Sequence, residues 1–170
     1  GIQWADCKLS NLLVDTHTLP GTTRLRAVDF GEALRIVGSM DWSEAEAGNI
    51  PKAMLSDDAI TVEYCPPERL LAHQRRSALE GQAQADAWSL GVVLFNIFTG
   101  GEHFWEGVRE PSAVLGRAEQ LTEHVDEKLR MLEASCGPAR AVVEKLLQVR
   151  PGNRELATQV VQHALFNPCR

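Results

Sequence analysis

Two short runs near the start of the chain combine the side chains that phosphoryl transfer requires. The first run, Asp6 to Asn11, holds a carboxylate, the cation of Lys8 and an amide, and the second run is Asp29-Phe30-Gly31. A carboxylate can orient an attacking hydroxyl and accept its proton, while a cation neutralises the migrating phosphate. Carboxylate and amide oxygens are suitable ligands for Mg²⁺, a hard cation. The two runs therefore predict phosphoryl-transfer chemistry.

A β-hairpin is the element expected between these two runs. Two short apolar or alternating stretches, Leu12 to Val14 and Leu25 to Val28, flank the turn signal Pro20-Gly21. From Glu32 to Thr61 the periodicity is lost, which predicts a long loop, and loops of that length usually have a function.

After Pro66-Pro67 the pattern becomes helical. The stretch from Asp86 to Thr99 is apolar on nearly all sides, which predicts a helix at the centre of the domain with Asp86 as a plausible N-cap. The predicted helices are Glu68 to His73, Asp86 to Thr99, Ala113 to Leu132, one starting at Pro138, and Arg154 to Phe166.

The composition is that of one globular domain or of part of a larger one. The chain has 170 residues, of which 44% are hydrophobic and 24% charged, and acidic residues outnumber basic ones by 23 to 17. The net charge of −6 gives no electrostatic footprint for nucleic acid, and no apolar run is long enough to span a membrane. The cysteines lack the spacing of a zinc or redox site and predict free thiols, at Cys7, Cys65, Cys136 and Cys169.

Five segments, in this order, resemble motifs of the protein kinase family. The match is to D-x-K-x-x-N, D-F-G, T-x-x-Y-x-A-P-E, D-x-W-S-x-G and a late arginine, at Asp6 to Asn11, Asp29 to Gly31, Thr61 to Glu68, Asp86 to Gly91 and Arg154. The resemblance implies the mainly α C-terminal lobe of a serine/threonine kinase with a small β-hairpin, the N-terminal lobe being absent from this sequence. Residues 1–31 then hold the catalytic loop, hairpin and magnesium motif, 32–68 the activation segment, and 69–170 the helical lobe.

The resemblance also implies a role for each residue of the site. Asp6 is the catalytic carboxylate, and Lys8 neutralises charge on the γ-phosphate of ATP. Asn11 and Asp29 hold Mg²⁺ and, with Lys8, bind the nucleotide. Thr61 hydrogen-bonds Asp6 and Lys8 and helps to position the substrate residue.

Other matching residues are implied to be structural. Glu68 and Arg154 form a buried ion pair, and Asp86 accepts hydrogen bonds from the backbone of the catalytic loop. From its own position alone, the alternative for Asp86 is a plain N-cap. Phe30 and Gly31 belong to the magnesium motif, Phe30 packing beneath the nucleotide site or simply in the core.

The sequence departs from the family pattern in two ways. Trp4-Ala5 stands where the family has His-Arg, so no arginine here can pair with a phosphorylated activation loop, and Trp4 is expected to take over the packing of the histidine. The family's Gly-rich loop, strand lysine and partner glutamate are also absent. They are expected upstream in an N-terminal lobe, so the isolated chain should be inactive and should expose part of its apolar core. Cys7 beside Asp6 is expected to be a passive thiol because no histidine is near in sequence.

These observations predict an ATP- and Mg²⁺-dependent protein serine/threonine kinase, acting on Ser or Thr of a protein and not on nucleic acid. The alternative is a pseudokinase that serves as a regulatory or scaffold binding module. A cytoplasmic location is expected, with a secreted one left open because the sequence starts at Gly1 without an initiator methionine.

Overall fold

The computed structural model describes residues 2–15, 24–35, 60–75, 82–105, 111–115, 120–163 and 165–166. The strands in this part of the chain are β1 (Ile2–Gln3), β2 (Leu12–Asp15), β3 (Arg24–Ala27) and β4 (Leu34–Arg35). The helices are α1 (Pro67–Gln74), α2 (Ala83–Phe98), α3 (Pro111–Leu115), α4 (Leu121–Leu146) and α5 (Ala157–Val160). The predicted mainly α architecture with a small β-hairpin is confirmed.

The predicted hairpin is the antiparallel pair β2–β3, in which Val14 lies opposite Leu25. Its expected turn at Pro20-Gly21 lies outside the described residues, as do residues 36–59 of the expected long loop. A second antiparallel pair, β1–β4, sets Gln3 opposite Leu34. The chain therefore returns to its own start immediately after the Asp29 run, so that the two predicted chemical runs become neighbours.

Helix α2 is the buried central helix that the sequence predicts. Trp88 and Phe95 on this helix are fully buried, and it packs against α4. Gly91 makes this packing close, because a Cβ there would lie 2.8 Å from the Leu147 side chain. The helix begins at Ala83, and its N-cap is Gln82. The N-cap interpretation of Asp86 is therefore wrong, since Asp86 lies inside the first turn.

The predicted helix from Ala113 to Leu132 is also wrong in its bounds. α3 ends at Leu115 and α4 begins only at Leu121, while α4 joins the remainder to the helix predicted from Pro138. The join is interrupted at Cys136, whose φ of −153° and ψ of 84° are not helical. Pro138 accounts for this break, because a proline ring clashes with the carbonyl four residues earlier and supplies no N–H.

The last predicted helix, Arg154 to Phe166, is much shorter than expected. A 3-10 turn at Pro151–Asn153 leads into an extended Arg154, and the backbone N–H of Glu155 donates to the carbonyl of Lys145. These contacts with the rest of the fold delay the helix until Ala157. No helix in the described ranges combines the length and the apolar character that crossing a membrane demands.

Candidate active site

Four polar side chains from two distant parts of the chain meet in one cluster. Lys8 Nζ lies 2.7 Å from Asp6 Oδ2, and Asn11 Nδ2 donates to the same oxygen at 2.8 Å. Thr61 Oγ1 donates to Asp6 Oδ1 at 2.9 Å and accepts from Lys8 Nζ at 3.1 Å. Both carboxylate oxygens are thus engaged, which fixes the orientation of Asp6. The expected contacts of Thr61 with Asp6 and Lys8 are present.

The backbone of the loop explains why these residues converge. A 3-10 turn at Leu9–Asn11 folds the chain back, and the side-chain amide of the buried Asn11 also donates to the Asp6 carbonyl at 3.0 Å. The Asn11 carbonyl accepts from Val28 N–H at 3.0 Å, at the end of β3. Because Asp29 follows directly, the hairpin brings the second run to the edge of the first.

Asp29 sits in a left-handed backbone conformation, with φ of +60°. Aspartate tolerates this region better than most residues, and here the Asp29 Oδ1 accepts from Gly31 N–H at 3.3 Å. The Asp29 carbonyl accepts from Trp4 Nε1 at 2.8 Å. The conformation turns the chain sharply at the start of the magnesium motif.

Phe30 differs from its expected placement. Its side chain is 56% exposed and stacks on Trp4, with ring centroids 5.6 Å apart and an interplanar angle of 28°. A core position for Phe30 is therefore wrong among the described residues, because its only ring contact there is this stack. Trp4 does pack against the motif, as expected for the residue that replaces the family histidine.

Asn11 and Asp29 present the chemistry that Mg²⁺ prefers. The amide nitrogen of Asn11 is committed to Asp6, which leaves its oxygen as the ligand atom, and the exposed Asp29 supplies a carboxylate. Within the described ranges no group of three or more His, Cys, Asp or Glu side chains could hold a metal. This donor set fits Mg²⁺, since that ion commonly takes one or two carboxylates and completes its shell with substrate phosphates and water.

Asp86 anchors the loop from the first turn of α2. Its Oδ2 accepts from Trp4 N–H at 2.6 Å and its Oδ1 from Ala5 N–H at 2.9 Å. Burial raises the pKa of Asp86, while the two backbone hydrogen bonds and the nearby charge of Arg69 act in the opposite direction. The contacts expected for Asp86 with the catalytic-loop backbone are therefore present.

Glu68 and Arg154 form the expected ion pair. Arg154 Nη1 and Nη2 contact the two Glu68 oxygens at 2.5 and 2.8 Å, and the Arg154 side chain is fully buried. The guanidinium also donates to the carbonyls of Gln148 and Gln84, at 2.6 and 3.1 Å. It lies 5.0 Å from the Trp88 ring centre, so this pair ties α1, α2 and the segment after α4 together.

Two residues of the site make contacts that the sequence did not predict. Arg69, buried at the start of α1, donates through Nη1 to the Ala5 carbonyl. Ser89 Oγ of α2 donates to the Tyr64 carbonyl at 2.8 Å and so steadies the 3-10 turn Val62–Tyr64, which follows Thr61. Arg69 belongs to none of the recognised motifs, and Ser89 is the serine of the D-x-W-S-x-G match, for which no contact was predicted. Only the fold shows what these two side chains touch.

The cysteines near the site are suited to packing. Burial raises the pKa of the Cys7 thiol to about 12, with Asp86 and Asp6 adding to the effect. Burial likewise raises the pKa of Cys65 to about 12. A thiol that stays protonated at neutral pH is a poor nucleophile, which agrees with a passive role for Cys7.

Comparison with known proteins places this geometry in context. The chain matches the protein kinase domain family over residues 1–166. The putative ribosomal protein S6 kinase alpha-2 of Caenorhabditis elegans is 34% identical over 108 residues, which cover 64% of this chain and 13% of that protein. The liver/testis isoform of the phosphorylase b kinase gamma catalytic chain of Rattus norvegicus is 25% identical over 170 residues, which cover 97% of this chain and 35% of that protein.

A solved structure shows the same fold. The Rad53 kinase domain and SCD2 in complex with AMPPNP has a TM-score of 0.60 at 23% identity, covering 98% of this chain and 51% of that one. The chain thus spans about a third or less of the two curated relatives and about half of the solved chain. With a family match over nearly its whole length and the motif residues gathered in one site, this chain belongs to the protein kinase family.

Proposed function

We propose that the protein containing this chain is an ATP-dependent protein serine/threonine kinase. The observation that carries the proposal is the closed set of contacts among Asp6, Lys8 and Thr61, each atom pair lying within 3.1 Å. These contacts fix a carboxylate and a cation side by side. A fixed carboxylate beside a cation is what positioning an attacking hydroxyl and a phosphate requires.

Asp6 orients the hydroxyl of the substrate and accepts its proton as the oxygen attacks. Its orientation is preset by Asn11 and Thr61, which reduces the reorganisation needed at the moment of transfer. Lys8 stabilises negative charge on the phosphate being transferred. The Lys8 position and the Thr61 contact follow the serine/threonine pattern, which supports a Ser or Thr hydroxyl as the acceptor.

Asn11 and Asp29 would hold Mg²⁺ through an amide oxygen and a carboxylate. When bound, the ion neutralises charge on the phosphates of ATP and helps to align them. This chain thus supplies the phosphate and metal end of the site. The Gly-rich loop and strand lysine that the resemblance implies are not among its residues, so we propose that the isolated 170 residues do not transfer phosphate.

The acceptor is proposed to be a protein, and the location the cytoplasm. The free thiols of Cys7 and Cys65 support a reducing compartment, since buried cysteines of secreted domains are commonly paired. The acidic net charge supports a protein acceptor over a nucleic acid.

The test is γ-phosphate transfer from Mg²⁺-ATP to a panel of protein substrates by the complete protein. Asp6→Asn and Asp29→Ala are each expected to abolish transfer, while Asp126→Asn, on an exposed carboxylate of α4, should leave it unchanged. Transfer that survives both site variants would show that the residues are wrongly assigned. A folded parent that transfers nothing to any substrate would favour the pseudokinase, for which the replacement of His-Arg by Trp4-Ala5 is the supporting observation.

A further inference from the structure

The buried guanidinium of Arg69 contacts the catalytic loop directly. Arg69 is 5% exposed, and its Nη1 donates to the carbonyl of Ala5, the residue before Asp6. Its Nε and Nη2 have no hydrogen-bond partner among the described residues. Among the described residues, the Arg69 guanidinium therefore donates hydrogen bonds to one peptide group, that of the Ala5 carbonyl.

Burying a guanidinium is unfavourable unless nearby groups compensate its charge. The charge of Arg69 acts on the Asp86 carboxylate, where it opposes the rise in pKa that burial causes. The side chains of Asp86 and Arg69 bind the same stretch of backbone through groups of opposite charge. Asp86 accepts from the N–H groups of Trp4 and Ala5, and Arg69 donates to the carbonyl of Ala5.

The backbone held in this way has an uncommon conformation. Ala5 has a φ of +71°, a region that residues with a Cβ seldom adopt and that the surrounding structure must enforce. The Ala5 carbonyl belongs to the peptide group that continues directly into Asp6. A change in the orientation of this peptide would move the Asp6 carboxylate relative to Lys8 and Thr61.

We propose that Arg69 is a positioning residue, which acts through the Ala5 carbonyl to hold Asp6 in its working orientation. The inference rests on the proposed kinase function. It also assigns a second task to the first turn of α1, where Glu68 holds Arg154 and the next residue holds the catalytic loop. At the position of Ala5 the kinase family has an arginine. In this chain the guanidinium that contacts the backbone at that position comes from α1 instead.

The first experiment compares Arg69→Met with Arg69→Lys in the complete protein. Methionine replaces the unbranched apolar part of the arginine side chain and removes both charge and donors. We expect kcat to fall by about 10- to 100-fold, since small misplacements of reacting groups have effects of that size. The KM for ATP should change by less than about 2-fold, because Arg69 holds the carboxylate side of the site. Lysine should restore part of the lost kcat. Arg75→Met, at the exposed end of the same helix, is the matched control and should leave kcat unchanged.

A double-variant cycle separates positioning from general destabilisation. If Arg69 acts by holding Asp6, then Arg69→Met should cause little further loss once Thr61→Val has removed the hydrogen bond that orients the Asp6 carboxylate. Losses that multiply in the double variant would overturn the proposal, because they would show that Arg69 acts independently of Asp6. A change in the KM for ATP with an unchanged kcat would overturn the proposal as well.

Amide hydrogen exchange provides a readout that needs no activity. Arg69→Met should accelerate exchange of the Trp4 and Ala5 amides relative to amides of α2, and Arg75→Met should not. If Arg69→Met does not fold, Arg69→Lys decides, with a smaller acceleration expected. If the parent transfers no phosphate, the kinase proposal fails and the exchange rates alone judge Arg69; unchanged rates in the folded variant would refute its role.

Discussion

The buried guanidinium of Arg154 has two kinds of partner, the carboxylate of Glu68 and several backbone carbonyls. One side of the guanidinium faces Glu68, whose side chain is 27% exposed, while other donors reach backbone carbonyls of Gln148, Gln84 and Val149. Removing the arginine leaves a carboxylate that water can partly reach, together with several carbonyls that lose their donor. Removing the carboxylate leaves a buried cation that still has backbone acceptors.

We therefore expect Arg154→Met to lower the free energy of unfolding by about 3 to 5 kcal/mol. Glu68→Gln should cost about 1 to 3 kcal/mol, since an amide keeps one acceptor for the guanidinium. Urea unfolding checks both values, with Glu133→Gln as control, because the exposed pair of Glu133 and Arg140 should contribute about 1 kcal/mol or less. Equal costs for the Arg154 and Glu68 variants would contradict the asymmetry of the contacts.

Asp86 should make stability depend on pH in an unusual direction for a carboxylate. Burial raises its folded-state pKa above the ordinary 3.8, so ionisation costs more in the folded than in the unfolded protein. Its contribution to stability is greatest below 3.8 and declines as the pH rises through the folded-state pKa. We expect the free energy of unfolding of the parent, minus that of Asp86→Asn, to decrease over this window. A difference that increases with pH would show that the backbone hydrogen bonds outweigh burial.

At this scale the sequence predicted the site well where spacing carried the information. Asp6, Lys8, Asn11 and Thr61 could be recognised together because their order in the chain matches a known pattern. Arg69 could not be found, since what distinguishes it is a carbonyl more than sixty positions away along the chain. Phe30 was misplaced because its apolar character suggested burial, whereas the fold gives it an aromatic partner at the surface.

At the scale of the elements, the contact between α2 and the end of α4 leaves no room for a side chain at Gly91. A methyl group at position 91 would lie 2.8 Å from Leu147 Cδ2 and 3.0 Å from Leu146 Cβ. By contrast, a methyl group at Gly137, next to the break in α4, would meet nothing within 4 Å. A side chain is therefore excluded by packing at Gly91 but not at Gly137.

Gly91→Ala is expected to destabilise the protein by about 1 to 3 kcal/mol through overpacking, despite the better helix propensity of alanine. Gly137→Ala should be neutral or stabilising by up to about 1 kcal/mol, because it restricts the unfolded chain without a clash. Thermal unfolding of the two variants against the parent tests the contrast. Stabilisation by Gly91→Ala would mean that α4 can move away at little cost.

Element types were predicted more reliably than element ends. The buried α2 followed from a continuous apolar pattern, whereas its start lies earlier, at Ala83, next to Gln82, whose backbone N–H donates to the distant Gln3 side chain. The helix near the end of the chain also starts at a different residue from the one predicted. Arg154 is extended and contacts Glu68, and α5 begins only after it. Such boundaries depend on tertiary contacts, which periodicity does not contain.

At the scale of the whole molecule, the hairpin β2–β3 stands out because one of its faces is apolar and exposed. Leu12, Val14, Leu25 and Ala27 alternate onto one face of β2–β3, and Val14 and Leu25 are 56% and 63% exposed. Six of the nine exposed large hydrophobic residues in the described chain fall within the first 30 positions. A two-stranded ribbon with an uncovered apolar face is marginally stable in water.

We expect the isolated 170 residues to self-associate through this face. The double variant Val14→Thr/Leu25→Thr should shift the sedimentation profile toward monomer, because threonine keeps strand propensity and reduces apolar area. Ile97→Thr, a single exposed apolar residue on α2, is the control and should change little. Monomeric behaviour of the unmodified chain at high concentration would argue that the face is tolerated in water.

The stack of Trp4 on Phe30 has a practical consequence, because it gives the chain an optical reporter at the magnesium motif. Trp88 and Trp105 lie almost wholly inside the core, so their emission should be blue-shifted and insensitive to quenchers in solution. Trp4 is partly exposed and bonded to the Asp29 carbonyl, so any rearrangement of the motif would alter its quantum yield and its access to iodide. Subtracting the spectrum of a Trp4→Phe variant would isolate this signal, allowing Mg²⁺ or nucleotide to be titrated without an attached dye.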